Sequence, residues 1–137
     1  MKLISTVIPL VALFSVTSAT ITNINVRHDS GYDVNTSTPR MVDCLSDRNG
    51  PLAGVKNFGE VKTFPYIGAA DVVKSDHSGC GSCWEMSYEG NVVVITVVDS
   101  APDGFNLTRK AMDDLTANSG QVIIANATQL PGSDCGL

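Results

Sequence analysis

Four cysteines, two of them in the run Ser78-Gly79-Cys80-Gly81-Ser82-Cys83-Trp84, constrain this 137-residue chain more than any other feature. They follow an N-terminal stretch that reads as a secretory signal. Lys2 supplies a positive start, Leu3 to Val16 is mostly apolar, and Thr17-Ser18-Ala19 offers small residues for cleavage after Ala19. The apolar stretch is shorter than the roughly 20 residues a membrane-spanning helix needs. The expectation is a leader over 1–19 and a single domain over 20–137, delivered to an oxidising compartment where four cysteines form two disulfides. A direct Cys80–Cys83 bond is sterically awkward in a structural role. Each is therefore expected to pair with one of the distant cysteines, Cys44 or Cys135, which leaves two connectivities open.

Composition narrows the function. The sequence carries 9 Lys and Arg against 14 Asp and Glu, a formal net charge of −5 that becomes one unit more negative without Lys2. An acidic surface lacking a basic cluster argues against nucleic acid and against anionic membranes as partners. A monomer is expected. Asn35-Thr36-Ser37, Asn106-Leu107-Thr108 and Asn126-Ala127-Thr128 are sequons for N-glycosylation in a secreted chain.

Hydrophobic periodicity points to short strands. Thr20 to Val26 alternates, Asn35 to Pro39 is a loop, and Met41 to Cys44 is a short strand that takes Cys44 into the core. Leu52, Val55 and Phe58 suit one or two helical turns ended by Gly59. Thr63 to Ala69 is extended, with Pro65 keeping it at an edge. Cys83 to Tyr88, the turn Glu89-Gly90-Asn91 and the run Val92 to Val98 form the clearest hairpin. Asp99 to Gly104 then reads as a polar loop. Thr108 caps a helix reaching Ala117, with Ala111, Met112 and Leu115 on one face and Gly120 just beyond its end. A strand from Val122 to Ala125 continues toward Leu130. Together these describe a mainly β domain with short helices, a small closed barrel.

The chemistry of the cysteine run is ambiguous in isolation. Cys80-Gly81-Ser82-Cys83-Trp84 fits a thiol-protease signature, but that enzyme needs a histidine roughly 130–150 residues downstream. The two histidines, His28 and His77, both precede Cys83. A zinc site lacks a second close pair of ligands, and a redox dithiol lacks its βαβ setting. No metal or cofactor is implied. Carboxylates remain. Asp99 stands where the strongest strand gives way to a loop, and Asp29 and Asp33 flank Tyr32. Glycoside hydrolysis normally needs two carboxyl groups across the scissile bond.

Read in order, several segments resemble the cerato-platanin family of small secreted fungal proteins. They are Val26 to Asp33, Phe58-Gly59-Glu60-Val61 with Phe64-Pro65 and Ile67-Gly68, Cys80 to Trp84, Val98-Asp99-Ser100, and Gly104-Phe105-Asn106. His28 stands where the family usually has tyrosine, and Arg109 where proline is common.

The resemblance implies a six-stranded double-psi β-barrel related to expansins and to family 45 endoglucanases. It implies bridges Cys44–Cys80 and Cys83–Cys135. It further implies a secreted protein of the extracellular space and cell wall that binds chitin-derived N-acetylglucosamine oligomers or a cellulose surface. Such a protein loosens cellulose without hydrolysis and acts as an elicitor or effector, with a plant receptor as a further partner. On this reading Asp99, Ser100 and Asn106 contact sugar, with Asp29 and Tyr32 beside them. The alternative is a weak endoglucanase using Asp99 as acid.

Overall fold

A computed structural model describes residues 9–12, 18–36 and 43–137. Six strands close into a barrel. In chain order they are β1 (Thr20–His28), β2 (Ile67–Ala70), β3 (Cys83–Tyr88), β4 (Asn91–Ser100), β5 (Phe105–Leu107) and β6 (Ile123–Leu130). Around the barrel the order is β1-β5-β2-β4-β3-β6. The pairs β1–β5 and β2–β4 are parallel and the other neighbours antiparallel, the double-psi arrangement. Closure removes every sheet edge. Among the described residues no helix is long and apolar enough to cross a membrane. The segment 1–19, expected to be a leader, lies mostly outside the described residues.

Alternation builds the core. Ile24 and Val26 of β1, Met86 of β3, Ile95 and Val97 of β4, Phe105 and Leu107 of β5, and Ala125 and Ala127 of β6 are buried. Trp84 joins them at 3 % exposure, edge-on to Phe105 with ring centroids 5.6 Å apart. Its indole N–H donates to the Ser82 hydroxyl at 2.9 Å. Tryptophan is thus a core residue here, with its one polar atom satisfied.

The hairpin β3–β4 turns through Glu89 and Gly90, both at positive φ (47° and 84°). Helix α2 (Arg109–Thr116) starts at Thr108, whose hydroxyl accepts from the Ala111 N–H, and buries Ala111, Met112 and Leu115. It stops at left-handed Ala117, as expected. The disulfides are Cys44–Cys80 and Cys83–Cys135.

Four expectations are corrected. Cys44 lies in a short helix, α1 (Asp43–Ser46), and Met41 and Val42 fall outside the described residues. Leu52 to Gly59 forms turns and then a 3-10 turn at Phe58–Glu60, because Gly54 at φ 86° interrupts any helix. Pro65 falls in the turn before β2, so its missing N–H takes nothing from the ladder. β2 itself lies between β4 and β5, with all four residues buried.

The fourth correction concerns the site. Asp99 and Ser100 end β4 as strand residues rather than opening a loop. After them comes β5, whose three residues carry too little periodicity to announce a strand. Gly104 makes β5 possible, since at φ 61° it sits against the Asn25 carbonyl where a Cβ would collide.

Candidate functional site

Residues directly opposite in a ladder share a face of the sheet. Phe105 of β5 is opposite Val26 on one side and Ala70 on the other, all buried in the core. The next row, Arg27–Asn106–Ala69, therefore faces outward. Asp99 extends it, because Ala69 is also opposite Asp99 on β4. A register shift between Gly68 and Ala69 inserts Val98 as an extra residue. Val98 stays fully buried and Asp99 is turned onto the outer face. Such a bulge re-aims a side chain. The sequence thus places Asp99, Asn106 and Arg27 in one outward row across four strands. All three are half-buried, while Ala69 between them is completely covered.

Asp99 is held from three directions. Its Oδ2 accepts from the Tyr32 hydroxyl at 2.9 Å, and its Oδ1 accepts from the backbone N–H of Asp43 at 3.0 Å and of Ser100 at 2.8 Å. A carboxylate has about four acceptor positions, so one direction remains open. Ser100 is exposed and its hydroxyl donates to Asp43 Oδ2 at 2.6 Å. Tyr32 is 8 % exposed, with its ring 5.8 Å from that of Phe58. Burial, and then the charge and hydrogen bond of Asp99, push its phenol far above the ordinary value. Tyr32 stays protonated and donates.

The remaining candidates sit around this clamp. Asp29 caps the 3-10 turn Ser30–Tyr32 by accepting from the Gly31 N–H at 2.8 Å, which brings Tyr32 to Asp99. Asp33 ties the same turn to α2, accepting from the Arg109 N–H at 2.7 Å, and lies 2.8 Å from His28 Nε2. Beside them a hollow of about 350 Å³ is lined by Asp33, Pro65, Thr108, Arg109, Lys110 and Asp113. Among the described residues, Asn106 Oδ1 is buried with no partner, as is Arg27 Nε. At the far end of the row, Asp103 accepts from Arg27 at 3.1 Å and from the Asn25 amide at 2.8 Å.

The structure thus brings together Asp99, Ser100, Tyr32 and Asp29, and places Asn106 across β2 from them. Sequence reasoning missed Asp43 and Arg27, and marked Asp103 only as part of a loop that could alter ligand choice. Asp43 carries no local signal, since its role depends on a contact 56 positions away. Arg27 and Asp103 could have been paired only by knowing that β1 and β5 are parallel neighbours. Among the described residues no group of three or more His, Cys, Asp or Glu could hold a metal ion.

Comparison with known proteins fits this architecture. A family model described as Cerato-platanin matches residues 24–137. The allergen Asp f 15 of Aspergillus fumigatus is 36% identical over 94 residues, covering 68% of this chain and 62% of that protein. The chain thus spans less than two thirds of that relative. The crystal structure of cerato-platanin 2 from M. perniciosa superposes with a TM-score of 0.76 at 30% identity, covering 87% of this chain and all of that one. The solution structure of the fungal elicitor Cerato-Platanin gives a TM-score of 0.71 at 30% identity, covering 82% and 96%. With its barrel, its two bridges and a match from Ile24 to the last residue, the chain belongs to the cerato-platanin family.

Proposed function

We propose that this chain is a secreted, non-catalytic carbohydrate-binding protein of the cell wall and its surroundings. Along the row from Asp99 to Arg27 it grips oligomers of N-acetylglucosamine, as found in chitin, or the surface of cellulose, and loosens wall polysaccharide without cutting it. A role as elicitor of plant defence accompanies this reading, since one structural relative is a fungal elicitor.

The observation that carries the proposal is the state of Asp99. Three donors converge on it and fix it in place, so one direction stays open for a hydrogen bond with a sugar hydroxyl. Glycoside hydrolysis works with a pair of carboxyl groups across the scissile bond, and the carboxylate beside Asp99, that of Asp43, is engaged by the Ser100 hydroxyl. Binding is therefore favoured over the endoglucanase alternative. Ser100, exposed beside it, and Asn106, across covered Ala69, supply further polar contacts. Trp84 is in the core and offers no stacking face, so affinity is modest.

Titration with N-acetylglucosamine oligomers under NMR detection tests the site. Shifts should concentrate at Asp99, Ser100, Asn106 and Arg27; a pattern scattered around the barrel would sink the assignment. In parallel, amorphous cellulose should release the same trace of reducing sugar with the wild type and with Asp99→Asn. A clear loss in the variant would restore the hydrolase reading.

A further inference from the structure

On the side of the barrel away from Asp99, the outer face of β4, β3, β6 and β1 is open. Its rows read Val92–Ser87–Asn126 and Val94–Glu85–Thr128–Thr20. All of these residues are exposed or half-buried. Val92 is 53% exposed, and Ile124, two positions from Asn126 on β6, is 55% exposed. With strands about 4.8 Å apart and about 3.4 Å per residue along them, both apolar side chains lie within roughly 10 Å of Asn126. Asn126 is also the first residue of the sequon Asn126-Ala127-Thr128.

We propose that Asn126 carries an N-linked oligosaccharide, which covers this face. The side chain is exposed and held at its carbonyl end. β1 and β6 lose register between Ile21 and Ile24, and Asn23 stands there at φ 56° without a ladder partner for its N–H. Asn126 Oδ1 accepts from that N–H at 3.3 Å. The carbonyl end thus faces β1, which leaves the Nδ2 end for the linkage.

Transfer joins Asn126 Nδ2 to C1 of the first sugar of a lipid-pyrophosphate-linked oligosaccharide. The N–C1 bond forms, the C1–O bond to pyrophosphate breaks, the lipid pyrophosphate departs and one amide proton is released. The product keeps its carbonyl, so the bond from Asn23 survives. Transfer precedes folding, and the fold decides only whether the modified chain can still close. At Asn126 it can. Asn106 differs: it is half-buried with its Oδ1 covered, so a glycan on the adjoining Nδ2 has less room beside the closed barrel.

The inference rests on entry into the secretory pathway, and the test separates the two. The full-length chain is expressed in a eukaryotic secreting host, and peptides from medium and cells are treated with an amidase that releases N-glycans in ¹⁸O-water. Labelled aspartate at position 126 is expected, and Thr128→Ala should abolish it while leaving the contact from Asn23. Secreted protein with bare Asn126 overturns the proposal but not secretion; a chain found only inside the cell with bare Asn126 overturns both. Enzymatic trimming of the glycan should raise binding of an apolar dye, and unchanged binding would overturn the covering role.

Discussion

Tyr32 and Asp99 are 67 positions apart in the chain, and the hydrogen bond between them joins the contact of Asp33 with α2 in setting how the 3-10 turn lies on the barrel. Hydrogen bonds to charged groups are worth more than neutral ones. Tyr32→Phe should therefore cost about 1–2 kcal/mol, read by denaturant unfolding. The phenol also sets a pH dependence. An unfolded tyrosine ionises near 10.0, whereas burial and Asp99 keep the folded Tyr32 protonated well above that. Above that pH the unfolded chain loses a proton that the folded chain retains. The contribution is therefore complete below pH 10 and drains away as pH rises further, by up to about 1.4 kcal/mol per pH unit. Wild type should show this alkaline slope and Tyr32→Phe should lack most of it; identical slopes would mean that Tyr32 is not held as described.

At the scale of elements, the β3–β4 hairpin turns through two residues at positive φ, the left-handed form that suits the twist of the strands. Glycine adopts that backbone freely at position 90, but glutamate at position 89 is strained there. Glu89→Asn should raise stability by roughly 1 kcal/mol, visible as a higher Tm, because asparagine tolerates the left-handed region. A fall in Tm would show that Glu89 makes a contact worth more than the strain. This hairpin was legible in the sequence because Cys83 to Tyr88 alternates and every residue from Val92 to Val98 is β-branched, with a turn between them. β2 and β5 were not. Ile67-Gly68-Ala69-Ala70 is buried throughout and Phe105-Asn106-Leu107 spans three residues, so neither presents a period. Asp99 illustrates the same limit at the site. Its importance could be suspected from its place after Val98, but the bulge that faces it outward depends on β2, and its three donors come from Tyr32, Asp43 and Ser100. Asp43 was unreadable for that reason.

Across the whole molecule, the bridges span 36 and 52 positions and meet the barrel almost side by side, at Cys80 and Cys83. In the chain-entropy picture each contributes about 4 kcal/mol at most. Replacing Cys83 and Cys135 together by alanine should cost up to that amount and loosen the 3-10 turn Gly132–Cys135, measurable as faster amide exchange at Gly136 and Leu137. Unchanged exchange there would show that the contact of Lys62 with the Gly136 carbonyl at 2.6 Å holds the tail unaided. The end-to-end placement of the two bridged loops has a consequence for survival among proteases. A single cut anywhere between Cys44 and Cys80, or between Cys83 and Cys135, leaves its two fragments covalently joined. Within the span from Cys44 to Cys135, only the short link from Cys80 to Cys83 lies outside both loops, and there Cys80 and Cys83 are themselves buried. A nicked molecule therefore travels as one particle, its broken ends tethered near their original places, and comes apart only where something reduces it.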